Sequence, residues 1–348
     1  MNTAENQPQQ DAYADLAAKV TVPGKVTWQH RLIDLKKHYP EPIFLLEFKG
    51  VKFFTVGDII VIKGKPKKGK SHLMLVFSVA LLTGEFIGIN RLEAAKKILY
   101  IDAEMHPNYT AALARKVHRL AGLHLQENSD RFFVLNLKQD SPVERERIIE
   151  EAIQELRPDV VFVDGVKDLT RTEHNDPAEG KRIGEMLKSW TAKYECMAML
   201  AIHENKNDMN SRGAVGAAVE EVASEVWRIE KADEIFTAGQ TLFRYHSPVE
   251  GLSFRMDDNG DIFPAEGKIK ITPDELKFTK TRFAFVEIFT DHSKLTFNSL
   301  QDEYMKVKRV KQTAAYNAIM YAADEKIIVK NLAGLYELSN LTSPHFSQ

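Results

Sequence analysis

The chain has 348 residues, of which 44% are hydrophobic and 28% charged, and its formal net charge is −2 at pH 7. This composition is typical of a globular protein, and the length predicts two domains with tails. The near-neutral charge excludes a polycation, so any contact with nucleic acid must come from local basic patches. The single cysteine, Cys196, excludes internal disulfides. Because the sequence also has no apolar run long enough to span a bilayer, we predict a cytoplasmic protein.

Residues 1–27 are polar, and we predict a flexible N-terminal tail. From residue 28 onwards, strand-like apolar runs alternate with stretches whose apolar residues recur at helical spacing. The predicted strands are 59–62, 97–102, 131–135, 160–164 and 197–202. The predicted helices are 71–82, 109–122, 142–156 and 177–194. This alternation predicts an α/β core with a mostly parallel sheet covered by helices.

The pattern changes after residue 229. Residues 241–245 and 252–256 are typical of paired strands, and a turn sequence follows at 257–261. We assign residues 28–264 to the core and 265–274 to a linker. Residues 275–348 then form a C-terminal winged-helix domain. Its predicted helices are 282–289, 299–307 and 313–324, and its predicted strands are 327–329 and 334–338.

The segment after the first core strand matches the phosphate-binding loop G-x-x-x-x-G-K-[ST]. We predict that this loop and the residue after it, His72, bind ATP. The loop residues are Gly64, Lys65, Pro66, Lys67, Lys68, Gly69, Lys70 and Ser71. The glycines let consecutive backbone N–H groups point at phosphates. Lys70 can reach the β- and γ-phosphates, and the Ser71 hydroxyl can ligate Mg²⁺. The helix that follows adds partial positive charge beneath the phosphates.

Hydrolysis also requires carboxylates, and two strands end in acidic residues. Asp164 closes the apolar run 160–163, which places it at the carboxyl edge of the sheet as the second predicted Mg²⁺ ligand. Glu104 follows the strand that ends at Asp102, and there it can polarise a water for in-line attack on the γ-phosphate.

Residues 40–235 resemble the RecA-like ATPases, on the strength of the phosphate-binding loop and of Ile101-Asp102-Ala103-Glu104. The resemblance implies that Glu104 activates water. In AAA+ proteins the glutamate directly follows the Walker B aspartate, whereas here Gly165 follows Asp164, which disfavours that group. The loop departs from the common pattern in carrying Pro66 and three lysines.

The chain also resembles the RepA-type hexameric replicative helicases of plasmids and mobile elements, at Ser211-Arg212-Gly213-Ala214. That resemblance implies that His203, at the end of the fifth strand, senses the γ-phosphate. It further implies that Arg212 enters the neighbouring subunit's site as a finger, with Lys231 as the rival cation. The finger role requires a neighbouring subunit, and the resemblance implies a homo-oligomeric ring of six subunits.

Two regions are candidates for DNA contact. In a RecA-like ring, residues 166–176 and 204–213 line the channel; they carry cations, but acidic residues lie among them, so a solvated loop is an equal alternative. In the winged helix, four cations within 306–311 precede the third helix, where Gln312, Thr313 and Asn317 can meet DNA. The alternative for this domain is protein contact.

The sequence therefore predicts a Mg²⁺-dependent ATPase acting on DNA, with a RepA-like replicative helicase as the leading hypothesis. One alternative is a RecA-like recombination or repair mediator. The other is a nucleotide-switched DNA-binding regulator without unwinding activity.

Overall fold

The computed structural model describes residues 28–339 apart from 95, 206–210, 212, 245–247, 250 and 267–272. The chain divides into two compact units, Met1–Pro42 and Ile43–Gln348. In the first unit a short 3₁₀ helix spans Trp28–Arg31, and the Asp34 backbone N–H donates to the Tyr39 hydroxyl over 3.0 Å. The predicted tail, residues 1–27, lies outside the described residues.

The second unit is built on a nine-stranded sheet. In chain order its strands are β3 (Ile59–Gly64), β6 (Ile98–Asp102), β7 (Phe132–Asn136), β8 (Val160–Asp164), β9 (Met197–His203), β10 (Glu225–Ala232), β11 (Ile235–Phe243), β12 (Leu252–Met256) and β13 (Ile262–Pro264). The spatial order is β13-β12-β11-β10-β3-β9-β8-β6-β7. The strands from β10 to β7 are parallel, and β11, β12 and β13 extend the sheet antiparallel. The predicted α/β core with a mostly parallel sheet is confirmed.

Five helices cover this sheet: α1 (Lys70–Thr83), α2 (Pro107–Leu120), α3 (Pro142–Leu156), α4 (Pro177–Tyr194) and α5 (Gly213–Val222). Successive residues of a strand point to opposite faces, so Ile60 packs into the core beneath α1 while Val61 packs into the core beneath α4 and α5. The two apolar cores lie on opposite faces of the sheet and hold it as the middle layer.

A smaller antiparallel sheet lies over α1. Its strands are β1 (Phe44–Phe48), β2 (Val51–Thr55), β4 (Glu85–Phe86) and β5 (Ile89–Arg91), in the order β2-β1-β5-β4. Side chains of this sheet such as Phe53 share one core with α1, which explains why that helix is apolar on all sides. The sequence patterns above do not predict these strands, because each is short.

The predicted strands match β3 and β6 to β9 within two residues at each end. The predicted pairing of 241–245 with 252–256 is wrong, because β12 pairs with Ile235–Ala238, the first half of a longer β11. β10 contains the strand-like run 226–230 that precedes Lys231, whereas the start of β11 is absent from the prediction. They meet at Asp233 and Glu234, whose φ angles of 46° and 63° form a tight turn without the glycine that usually marks one.

Three helices and a hairpin follow: α6 (Pro273–Asp291), α7 (Phe297–Lys308), α8 (Gln312–Asp324), β14 (Ile328–Lys330) and β15 (Tyr336–Leu338). Leu295 forms a bridge with Tyr336 of the hairpin, and these elements share a core of their own. α6 starts at Pro273, inside the predicted linker, because proline suits the first turn of a helix. No helix of the described residues is long and apolar enough to cross a membrane.

Candidate nucleotide-binding site

The parallel register brings four strand ends to one edge of the main sheet. Gly64 at the end of β3 lies opposite His203 at the end of β9, and Asp102 at the end of β6 lies opposite Asp164 at the end of β8. Ligands of open α/β sheets bind at the carboxyl ends of such strands. The predicted site residues of the phosphate-binding loop, β8 and β9 are therefore neighbours in the structure.

The phosphate-binding loop packs tightly against β10 and β11. Gly69 has φ of 102° and caps α1, and a Cβ atom added there would overlap Cδ1 of Phe236. At Gly64 an added Cβ atom would lie 2.7 Å from the backbone oxygen of Ile229. Only glycine fits either position. The four residues between them, Lys65, Pro66, Lys67 and Lys68, are exposed.

Lys70 is buried within this loop. Its Nζ donates to the backbone oxygens of Gly64 at 2.9 Å and Lys65 at 3.1 Å, and lies 3.0 Å from Nδ1 of His203. Burial lowers the pKa of Lys70, while the charge of Asp164 acts in the opposite direction. The ammonium is thus held by weak neutral acceptors, which a phosphate oxygen can replace with a stronger, charged partner.

Ser71 and Asp164 are already joined. The Ser71 hydroxyl donates to Asp164 Oδ2 over 2.5 Å, and the Tyr100 hydroxyl donates to the same oxygen over 2.9 Å. Burial raises the pKa of Asp164, although both hydrogen bonds oppose that rise. A buried carboxylate beside a hydroxyl is a donor set that suits Mg²⁺, and the charge of a bound cation offsets the cost of burying the carboxylate.

Glu104 stands on a turn that Asp102 builds. Asp102 Oδ1 accepts from the backbone N–H groups of Glu104 at 3.0 Å and Met105 at 2.9 Å, and its Oδ2 accepts from the Thr110 hydroxyl at 2.5 Å. Asp102 is buried, whereas the Glu104 side chain is 51% exposed and pairs with Lys167 Nζ at 3.5 Å. The Glu104 carboxylate is therefore accessible to water at the edge of the sheet.

Two buried ion pairs lie beside the site, and the sequence patterns do not predict them. Glu204, next to His203, pairs with Arg228 of β10 at 2.9 Å, and Lys63, next to Gly64, pairs with Glu220 of α5 at 2.9 Å. Burial raises the pKa of Glu204, and Arg228 and Lys63 partly offset that effect. Ser211 also donates to Glu220, and its backbone forms a bridge with that of Glu204, so these contacts join the two ion pairs.

The remaining predicted residues take different positions. Arg212 lies outside the described residues. Lys231 pairs with Glu234 of its own chain at 2.7 Å, and its backbone oxygen accepts from Lys68 of the loop at 3.1 Å. The His72 ring lies 5.3 Å from the Phe236 ring, and burial lowers the pKa of His72 to about 4, so it is neutral at pH 7.

The predicted channel segment 166–176 begins with a 3₁₀ helix, Val166–Leu169. Arg171, one of its cations, pairs at 2.7 Å with Glu146 of α3, which also pairs with Arg182. In the second segment, Lys206 lies outside the described residues.

Comparison with known proteins supports a P-loop ATPase. Residues 51–209 match the family model described as an AAA domain, and this span contains the phosphate-binding loop, Glu104, Asp164 and His203. The match supports ATP hydrolysis as the class of activity, and it does not confirm the expectation that the AAA+ group is disfavoured. No curated protein matches the chain.

Among solved structures, the crystal structure of the RadB recombinase is similar to this chain. The sequence identity is 21%, the match covers 62% of this chain and 94% of that one, and the TM-score is 0.45. The family match, together with the parallel sheet and its phosphate-binding loop, agrees with a RecA-like P-loop ATPase core. Neither comparison concerns the RepA-type helicases.

Proposed function

We propose that the protein is a Mg²⁺-dependent ATPase with a RecA-like core that acts on DNA as an oligomer. The observation that carries this proposal is the convergence of Lys70, the Ser71–Asp164 pair and Glu104 at one edge of a parallel sheet. Phosphate binding, cation binding and water activation are the three requirements of ATP hydrolysis, and each has a candidate residue there.

In this proposal Lys70 and the backbone N–H groups of the loop hold the phosphates of ATP. Ser71 and Asp164 would hold Mg²⁺, whose charge neutralises the phosphate oxygens when it is bound. Glu104 orients the attacking water. It suits this role because its carboxylate is exposed while its backbone is fixed by Asp102.

The proposed γ-phosphate sensor is His203. Its Nδ1 lies 3.0 Å from Lys70 Nζ, so any shift of Lys70 towards a phosphate changes the partner of the His203 ring. We propose Arg212 as the cation that completes the site of the neighbouring subunit. Lys231 is the weaker candidate, because Glu234 and the Phe236 ring, 5.1 Å away, engage it within its own chain.

We further propose a RepA-like replicative helicase, in which a closed ring of six subunits holds single-stranded DNA against residues 166–176 and 204–213. The C-terminal elements α6 to β15 have the helix order and terminal hairpin of a winged helix, which supports our assignment of that domain. Its third helix exposes Gln312, Thr313 and Asn317 for contact with duplex DNA or a protein.

Two alternatives predict different behaviour. A recombination or repair mediator forms filaments or open arcs and remodels strands without unwinding them. A nucleotide-switched regulator turns ATP over slowly, and single-stranded DNA does not change that rate.

The experiment that tests the proposal is the ATPase rate with and without single-stranded DNA, measured beside the oligomer mass with a non-hydrolysable ATP analogue. The helicase proposal predicts DNA-stimulated turnover and a closed ring. Stimulated turnover with filaments supports the mediator instead. Turnover that DNA does not stimulate contradicts any DNA-driven motor.

A further inference from the structure

The carboxylate that we propose as the water-orienting group is engaged by a lysine. Lys167 Nζ lies 3.5 Å from Glu104 Oε1, and the two side chains are 48% and 51% exposed. An ammonium at that distance competes with water for the lone pairs of the carboxylate. In this arrangement Glu104 is not fully available to a nucleophilic water.

The Lys167–Glu104 pair can be exchanged easily. An exposed ion pair contributes little to stability, because both charges remain hydrated and two flexible side chains must be held in one geometry. A phosphodiester group that approaches Lys167 therefore needs to offer only a modest gain to take the ammonium from Glu104. Because this ion pair is weak, it can break and form again.

The backbone around Lys167 is fixed, so only its side chain has to move. The backbone oxygen of Lys167 accepts from the Thr170 hydroxyl at 2.6 Å, and the Asp168 N–H donates to Gly165 at 3.2 Å. Arg145 of α3 donates to the backbone oxygen of Asp168 at 2.7 Å. Lys167 also lines a small cavity, together with His174 and His203.

Lys167 differs from the other cation of the same segment. Arg171 lies 2.7 Å from Glu146, a carboxylate that has no proposed role in the site. Lys167 instead pairs with Glu104, and its segment begins two residues after Asp164. A polyanion bound along 166–176 would thus alter the contacts of the Glu104 carboxylate through Lys167 and not through Arg171.

We propose that Lys167 is a positioning residue that restrains Glu104 in the absence of DNA and moves to a backbone phosphate when single-stranded DNA is bound. The release of Glu104 to water then links DNA binding to turnover. This inference rests on the proposed function and names the contact through which DNA stimulates the ATPase.

The test compares Lys167→Met with a matched control, Lys188→Met, in the full chain at saturating ATP. Lys188 is 51% exposed and pairs with Glu185 at 3.0 Å on α4, so it loses a similar ion pair away from the site. Rates are measured with and without oligo-dT, which has no base-specific contacts to satisfy.

We expect Lys167→Met to raise the DNA-free kcat about two- to fivefold, the range that corresponds to loss of one exposed ion pair. Its KM for ATP stays within about twofold of wild type, since Lys167 pairs with Glu104 rather than with the loop that holds ATP. Stimulation by oligo-dT is lost, Lys167→Arg retains it, and Lys188→Met behaves as wild type.

Three results overturn the inference: an unchanged DNA-free rate in Lys167→Met, stimulation that persists in that variant, or a wild type that oligo-dT does not stimulate. Comparison of the single variants Glu104→Gln and Lys167→Met separates this inference from the proposed function. If Glu104→Gln alone retains turnover, the assignment of Glu104 fails. If Glu104→Gln is inactive while Lys167→Met matches wild type, only the role of Lys167 fails.

Discussion

The Ser71 hydroxyl donates a 2.5 Å hydrogen bond to Asp164, a residue 93 positions later in the chain. The bond joins the start of α1 to the end of β8 across the intervening strand β9. It places a hydroxyl and a buried carboxylate side by side next to the phosphate-binding loop. The energetic consequence is that the charge of Asp164 is costly in the folded protein unless a cation shares it.

Asp164→Asn is expected to separate stability from function. Burial raises the pKa of Asp164, so its ionised form destabilises the fold at neutral pH. The neutral amide of asparagine relieves that cost, and its oxygen can still accept from Ser71 and Tyr100. The melting temperature should be unchanged or raised, while Mg²⁺-dependent turnover falls at least about a hundredfold.

Asp159→Asn is the matched control, because Asp159 precedes the opposite end of β8, where it accepts from the Lys97 backbone N–H at 2.7 Å. That variant should keep its ATPase activity. An Asp164→Asn protein that hydrolyses ATP at the wild-type rate contradicts the cation site.

Gly69→Ala tests the packing of the phosphate-binding loop. Alanine at φ of 102° is strained, and its Cβ would overlap the Phe236 ring, which Phe254 supports by stacking at 5.1 Å. We expect ATP affinity to fall at least about tenfold, because the strain and the overlap together displace the loop amides.

Gly122→Ala is the control for backbone strain alone, since Gly122 has φ of 67° and an added Cβ would meet no atom within 4 Å. It should lose stability without losing ATP affinity, as measured by thermal melts and nucleotide titration. Equal loss of ATP affinity in the two variants contradicts the contact with Phe236.

Asp168→Asn is expected to stabilise the protein in a pH-dependent way. Burial raises the pKa of Asp168 to about 6; the charge of Lys167 partly offsets this rise, and the charge of Glu104 adds to it. Among the described residues, Asp168 Oδ2 has no hydrogen-bond partner. Because the pKa is higher in the folded state than the usual value near 3.8, folding favours the protonated form.

The stability that Asp168 contributes is thus present below about pH 4 and is lost as the pH rises through about 6. Asparagine does not ionise, so the melting temperature of Asp168→Asn should exceed that of wild type by a few degrees at pH 8 and by less at pH 5. The same difference at both pH values contradicts an ionisation-linked cost.

The sequence predicts the parts of the site that are carried by short contiguous patterns. The phosphate-binding loop is one such pattern, and Asp164 and Glu104 are found because buried strands end next to them. The parallel register then explains why these strand ends meet, as Asp102 opposite Asp164 shows. Long apolar runs also make β3 and β6 to β9 predictable, since no competing helical period exists there.

The partners that the sequence does not predict are joined only by the fold. Tyr100 meets Asp164 across 64 positions, and Lys63 meets Glu220 across 157 positions, without a local pattern to indicate either pair. The turn between β10 and β11 is hidden because Asp233 and Glu234 adopt positive φ angles without glycine. Local propensity cannot predict contacts that tertiary packing determines.

The most direct test of the account is Glu104→Gln, measured by ATP binding and steady-state turnover of the same preparation. Glu104 is half-exposed and its backbone is held by Asp102, so the amide should leave the fold and the phosphate-binding loop intact. We predict an ATP affinity within about twofold of wild type and turnover reduced at least about tenfold, because the amide cannot accept a proton from water. Turnover at the wild-type rate would contradict the assignment of Glu104 and, with it, the proposed ATPase mechanism.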